Sequence, residues 1–140
     1  MQDLLAGLTD YSAVGVGRDD GKTKGEYSAI FFKKDELRLI EASTFWLSDT
    51  PEKVSVGWDA ALPRICTYAL FEHQESKRQY WHFNTHFDHM GVKARAESAK
   101  LIASKIESLV DGEEPVILSG DFNAEPQKEP ILVLKNNYQD

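Results

Sequence analysis

Val116-Ile-Leu-Ser-Gly-Asp-Phe-Asn-Ala-Glu-Pro126 decides how the chain is read. Val116, Ile117 and Leu118 are a short run of apolar residues, two of them β-branched, the signature of a buried strand, and Ser119-Gly120 is expected to end it where backbone can come close to a ligand. Asp121 and Asn123 are two apart, so in extended backbone they project to one side while Phe122 points the other way, into the core. A carboxylate beside a carboxamide at a strand end can hold a polar group, a water or a hard cation. Gly, Asp, Asn and Pro are also what plain turns are made of, so on residue types alone a turn stands beside the ligand site.

Working outward, residues 91–110 carry the clearest helical pattern. Ala99, Ile102, Ile106 and Leu109 form an apolar stripe, with Lys93, Arg95, Glu97, Lys100, Lys105 and Glu107 at the solvated positions. Residues 64–71 and 79–87 read as a strand pair joined by a charged tip. Period two places Trp81, Phe83, Thr85 and Phe87 on one face of the second strand and Tyr80, His82, Asn84 and His86 on the other. His82, His86 and His89 invite a zinc reading, but strand geometry puts His89 off the face shared by the other two, and no further ligand closes the set. Upstream, residues 26–32 and 37–40 are strand-like and separated by a Lys-Lys-Asp-Glu turn, which predicts a hairpin, and residues 44–47 predict another short strand. Residues 11–17 predict a strand running into a polar loop. The glycines at 15, 17 and 21 have neither dinucleotide-fingerprint nor P-loop spacing and read as an ordinary turn. Leu4, Leu5 and Leu8 have helical spacing, and Pro130 is expected to open a last short helix through Leu134. Between 48 and 63 runs a long aperiodic connection with Trp58 and Asp59, a length that in compact domains often carries function, although Trp58 also suits a plain anchor to the core.

The 140 residues fit one domain, with no internal boundary, repeat or low-complexity stretch. A formal charge of −7 denies the chain the general attraction for polyphosphate that basic proteins have, so any nucleic-acid contact would be local. The single cysteine, Cys66, lies in an apolar run and reads as a small buried residue. No apolar run approaches the ~20 residues that span a bilayer, and the first residues lack the basic and hydrophobic regions of a signal peptide. Compartment and oligomeric state are left open.

Three strand ends therefore present polar groups: Arg64 before one, Asn84 and His86 at the end of another, Asp121 with Asn123 after a third. A guanidinium to clamp an anion, an imidazole to donate a proton and a carboxylate to hold a metal or activate water make a set suited to phosphate-ester hydrolysis. Ligand sites in α/β sheets lie at such ends.

Asn84-Thr-His-Phe-Asp-His89 and Ser119-Gly-Asp-Phe-Asn-Ala124, separated by one amphipathic helix, resemble the endonuclease/exonuclease/phosphatase superfamily, of which the deoxyribonuclease I-like nucleases are members. Glu26-Tyr-Ser-Ala-Ile-Phe-Phe32, Phe45-Trp-Leu-Ser48, Trp58-Asp59 and Pro63-Arg-Ile65 are in keeping, and order and spacing fit along nearly the whole chain, closest to the bacterial members. The resemblance implies an α/β fold forming part of a four-layer sandwich, two facing sheets with helices outside, and a metal-dependent hydrolase of phosphate esters, whether phosphodiesterase, nuclease or phosphatase. It gives Asp121 the attacking water and a share of the metal, Asn123 the nucleophile or a phosphate oxygen as well as a place at the metal, and His86 the scissile phosphate. Arg64 and Asn84 fall on the substrate side. The ion implied is Mg²⁺, with Mn²⁺ as substitute, in keeping with hard oxygen ligands. The family's first strand with its metal-site Asn, the following Glu, and a final Asp and Ser-Asp-His segment have no counterpart in these residues. The expectation is therefore an internal part of such a domain, without its N- and C-terminal strands, having an incomplete site and little activity alone. A non-catalytic binding domain on the same scaffold is the other reading.

Overall fold

The computed structural model describes residues 2–137; Met1 and residues 138–140 lie outside it, as do the side chains of Gln2, Asp3, Leu5 and Asn137, so the Leu5 part of the N-terminal stripe is not addressed. The order is α1 (Gln2–Gly7), β1 (Tyr11–Val14), β2 (Ile30–Lys33), β3 (Leu37–Trp46), β4 (Ile65–His73), β5 (Gln79–His86), α2 (Val92–Leu109), β6 (Val116–Asp121) and α3 (Glu129–Asn137). β1 and β2 form an antiparallel pair, and a second sheet has the order β3-β4-β5-β6, antiparallel until β5 and β6, which run parallel because α2 carries the chain back between them.

The alternation read from β5 sorts the two cores. Trp81 and Phe83, with Phe45, Cys66 and Phe87, meet Ala99, Ile102 and Ile106 of α2 and Leu134 of α3. On the opposite face Ala69 and Phe71 of β4 pack against Ile30 and Phe32 of β2, with Val14 and Tyr80 at the margin. The four-stranded sheet is thus covered by helices on one side and by the β1–β2 pair on the other. Each fully buried Phe or Ile here contributes about 1.5–3 kcal/mol. Cys66 is buried in the first core, where loss of solvation pushes its thiol pKa well up.

Two expectations about the strands need correction. The predicted hairpin of 26–32 with 37–40 does not form: β2 pairs with β1, while β3 pairs with β4. The turn at 33–36, braced by the Lys33 Nζ–Glu36 Oε1 ion pair at 2.7 Å, passes the chain from one sheet to the other, and Phe32 and Leu37 end up in one core between them. Segments 37–40 and 44–47 are not separate strands either; β3 is continuous, with a register shift between Leu39 and Glu41 that inserts Ile40 as a bulge. Such an extra residue breaks the period-two pattern and makes one strand look like two. Among the described residues no helix is long and apolar enough to cross a membrane.

Candidate active site

The parallel register places His86 beside Asp121, each at the C-terminal end of its strand. Strand β6 runs through Ser119 and Gly120 to Asp121 rather than ending at the Ser-Gly pair. Gly120 is needed by the sheet itself: its φ is 141°, and a Cβ there would run into the carbonyl oxygen of Thr85 on β5. Gly120→Ala is expected to cost about 1–3 kcal/mol and to separate the two strands where the site begins, read as a fall in melting temperature.

After Asp121 the chain leaves extended geometry. Asp121 Oδ1 accepts the Asn123 backbone N–H at 2.9 Å, and Asn123 takes a left-handed φ of 45°. The turn reading thus holds for these residues, and the Asn123 side chain arrives by this turn instead of by period two. Its Nδ2 donates to the Phe87 carbonyl at 3.0 Å, tying it to the end of β5 and leaving its oxygen available. Phe122 packs edge-on against Phe87, with ring centroids 5.3 Å apart, as expected of a residue turned to the core.

His86 Nε2 stands 3.7 Å from Asp121 Oδ2, and its Nδ1 lies 2.7 Å from Glu26 Oε1. An ionised carboxylate only accepts, so Nδ1 is the donor in this bond. Glu26 also takes a 2.7 Å hydrogen bond from Arg18 Nη1. Burial acts to raise the Glu26 pKa, but the hydrogen bond and charge of His86, and then the charges of Arg18 and Arg64, outweigh it and hold the group below its ordinary value. Neither Glu26 nor Arg18 was assigned a role by sequence reasoning. Glu26 opens a stretch that carries the resemblance, but it lies 60 residues from His86 and nothing local couples them.

Arg64 is placed differently from an open anion clamp. It is buried, with Nε on Asp88 Oδ1 at 3.2 Å and Nη2 on His89 Nδ1 at 3.0 Å, while its Nη1 is buried without a partner. It reaches the site as charge, through its effect on Glu26. Asn84 bridges the sheets: its Nδ2 donates to the Ala29 carbonyl at 3.0 Å and its Oδ1 accepts from Ser119 Oγ at 3.1 Å. It also lines an open cavity of about 310 Å³ together with Leu4, Tyr27, Ala29 and Phe31. His82 is held by Ser119 at 2.8 Å, and burial pushes its imidazole pKa down. The three histidines of the zinc reading therefore have three separate partners. In the long connection, Asp59 serves the helix that follows β5. Its carboxylate accepts the N–H groups of Ala94 and Lys93 at 2.6 and 3.2 Å and caps α2, whose own N-cap, Gly91, has no side chain to do so.

No family model matches the chain. Among solved structures, a mannosyl-6-phosphatase of Bacteroides thetaiotaomicron superposes with a TM-score of 0.94 at 44% identity over 96% of this chain and 51% of that one. An endonuclease/exonuclease/phosphatase protein of Bacteroides vulgatus does so with a TM-score of 0.93 at 44% identity over 97% and 52%. These structures bear out the resemblance to the endonuclease/exonuclease/phosphatase family that the motifs suggest. An uncharacterized protein of Acanthamoeba polyphaga mimivirus is 36% identical over 140 residues, 98% of this chain and 52% of its own length. The chain thus spans about half the length of these relatives. Its α/β architecture is that of the family's deoxyribonuclease I-like fold, and the two facing sheets with α2 and α3 outside are the portion of that sandwich described above.

Proposed function

We propose that the chain carries part of the site of a metal-dependent hydrolase of phosphate esters. The observation that supports this most directly is the grouping of His86 and Asp121 on adjacent parallel strand ends, with Nε2 and Oδ2 3.7 Å apart and the imidazole oriented by Glu26. In this reading Asp121, more than half exposed, orients the attacking water and takes its proton. Asn123, held by Phe87, positions the nucleophile or a phosphate oxygen. His86 faces the scissile phosphate with Nε2 and donates to it when protonated, and the buried charge of Arg64 favours an anion nearby. Asn84 borders the cavity on the substrate side.

The oxygen donors Asp121 Oδ2 and Asn123 Oδ1 fit Mg²⁺, with Mn²⁺ as substitute. Magnesium characteristically binds through one or two protein oxygens while water and substrate phosphate complete its octahedron. When bound, the ion supplies charge neutralisation to the phosphoryl group. A phosphomonoester of a sugar is the first substrate to try, given the named activity of one relative; nucleic-acid phosphodiesters are the second class.

The test is an assay of the protein encoded by the complete reading frame against sugar 6-phosphates, a generic aryl phosphomonoester and an aryl phosphodiester. Turnover with Mg²⁺ or Mn²⁺, lost on chelation and in His86→Ala, is the expected result. Hydrolysis indifferent to chelation, or none of any phosphoester with metal supplied, sinks the proposal.

A further inference from the structure

Glu26 spends its two carboxylate oxygens on different partners, Oε1 on His86 and Oε2 on Arg18, both at 2.7 Å. The side chain of Glu26 is about half exposed, whereas that of Arg18 is only 14% exposed. Arg18 is fixed by its backbone as well: its N–H donates to the Glu26 carbonyl at 3.1 Å, and its carbonyl accepts the Trp46 indole N–H at 2.8 Å, which anchors the loop on the end of β3. The guanidinium also bears a cost. Arg18 Nε is buried with no hydrogen-bond partner, and the nearest Asp19 oxygen is 3.8 Å away. Buried donors are rarely left unpaired without a reason. An arginine making only a surface ion pair would turn to satisfy every N–H, since such a pair is worth little. Here the rotamer keeps Nη1 on Glu26 at the expense of Nε.

We infer that Arg18 is a positioning residue: it locks the Glu26 carboxylate against His86 and so fixes that imidazole with its proton on Nδ1 and Nε2 turned to the substrate side. A long, half-exposed glutamate held from one side only would sample several rotamers. Held from both, it is a rigid acceptor, and which imidazole nitrogen carries the proton is set by the bond the other ring atom makes. Lysine would supply charge but not the planar fork that keeps one N–H on Glu26 while the backbone holds the rest of the residue. The catalytic consequence rests on the phosphoesterase reading; the tautomer does not.

The experiment is ¹⁵N imidazole spectroscopy of the 140-residue chain, recorded in the alkaline range where the spectrum no longer changes as pH is raised further. In the unaltered chain His86 is expected as the Nδ1–H tautomer. Arg18→Met should move it toward the Nε2–H form, Glu26→Gln should do the same, and Arg18→Lys should give a mixture. Lys24→Ala, a charge change in the same loop, should leave the tautomer alone. In the complete enzyme Arg18→Met should lower kcat about 10- to 100-fold with KM little changed, and Arg18→Lys should restore part of it. An unchanged Nδ1–H tautomer in folded Arg18→Met overturns the inference; should that variant not fold, an unchanged tautomer in Arg18→Lys does so. A locked tautomer that Arg18→Met releases, in a protein that hydrolyses no phosphoester, sustains this inference and sinks the phosphoesterase reading instead.

Discussion

Asp121→Asn is expected to lower kcat/KM for phosphate-ester hydrolysis by about 1,000-fold while leaving the melting temperature within a few degrees of the unaltered protein. The two effects separate because of what the side chain does in the fold. Asp121 is mostly exposed, and its structural bond is the acceptance of the Asn123 N–H by Oδ1. A carboxamide oxygen can accept that bond equally well, so the turn survives. What is lost is the charge on Oδ2, the atom 3.7 Å from His86 Nε2 that would bind the cation and take the proton of water. Asp121→Ala removes the turn bond too and should lose a further ~1 kcal/mol of stability without falling much lower in rate. Activity above a tenth of the original in Asp121→Asn would mean that this carboxylate is a turn residue and nothing more. Measuring Mn²⁺ affinity in parallel tells loss of the metal from loss of the base.

The sequence made much of this site legible, for physical reasons that differ from residue to residue. β5 is eight residues long, covered by helices on one face and by a second sheet on the other, so its alternation is strict and correctly separates Trp81 and Phe83 from Asn84 and His86. Asp121 and His86 meet because one helix returns the chain to a parallel neighbour, a connection that the stripe of Ala99, Ile102 and Ile106 announces. Glu26 and Arg18 could not be found this way. Arg18 pairs with Glu26 and Glu26 with His86, across 60 residues of chain, whereas in the sequence Arg18 stands in a polar loop and Glu26 opens a strand-like run. Arg64 shows the opposite difficulty. Its place before a strand suggests a guanidinium open to an anion, whereas in the fold it is buried against Asp88, 24 residues later. The bulge at Ile40 hid a single strand by shifting the phase of its pattern.

Asp88→Ala is expected to destabilise the fold by about 3–5 kcal/mol, because it leaves a buried guanidinium without its counter-charge. Asp88 has a fully buried side chain whose Oδ1 accepts Arg64 Nε at 3.2 Å, and whose Oδ2 accepts the N–H groups of Ala61, Met90 and Gly91 at 3.2, 3.0 and 2.8 Å. One carboxylate thus joins the 48–63 connection, the start of β4 and the turn into α2. Burial works to raise its pKa, but the N–H groups of Gly91, Ala61 and Met90, followed by Arg64, outweigh it and hold the carboxyl well below the ordinary range. The sign of the pH dependence follows. With the folded value depressed, the stabilisation is fully present above the unfolded pKa of about 3.9 and is lost as pH falls toward the folded value. The gap between the parent and Asp88→Ala should therefore be widest from neutrality down to about pH 4 and close below it, as measured by denaturant unfolding across pH. Adding Arg64→Met should recover part of the loss, since removing both charges avoids the orphan. A double variant no more stable than Asp88→Ala alone would shift the cause from the stranded charge to the three unpaired N–H groups. In either case His86 and Phe87 lie immediately before Asp88, and Phe87 carries both the N–H that donates to the Asp121 carbonyl and the carbonyl that holds Asn123. Loosening Asp88 therefore loosens the strand end on which the proposed chemistry depends, and kcat should fall in this variant at temperatures where it is still folded.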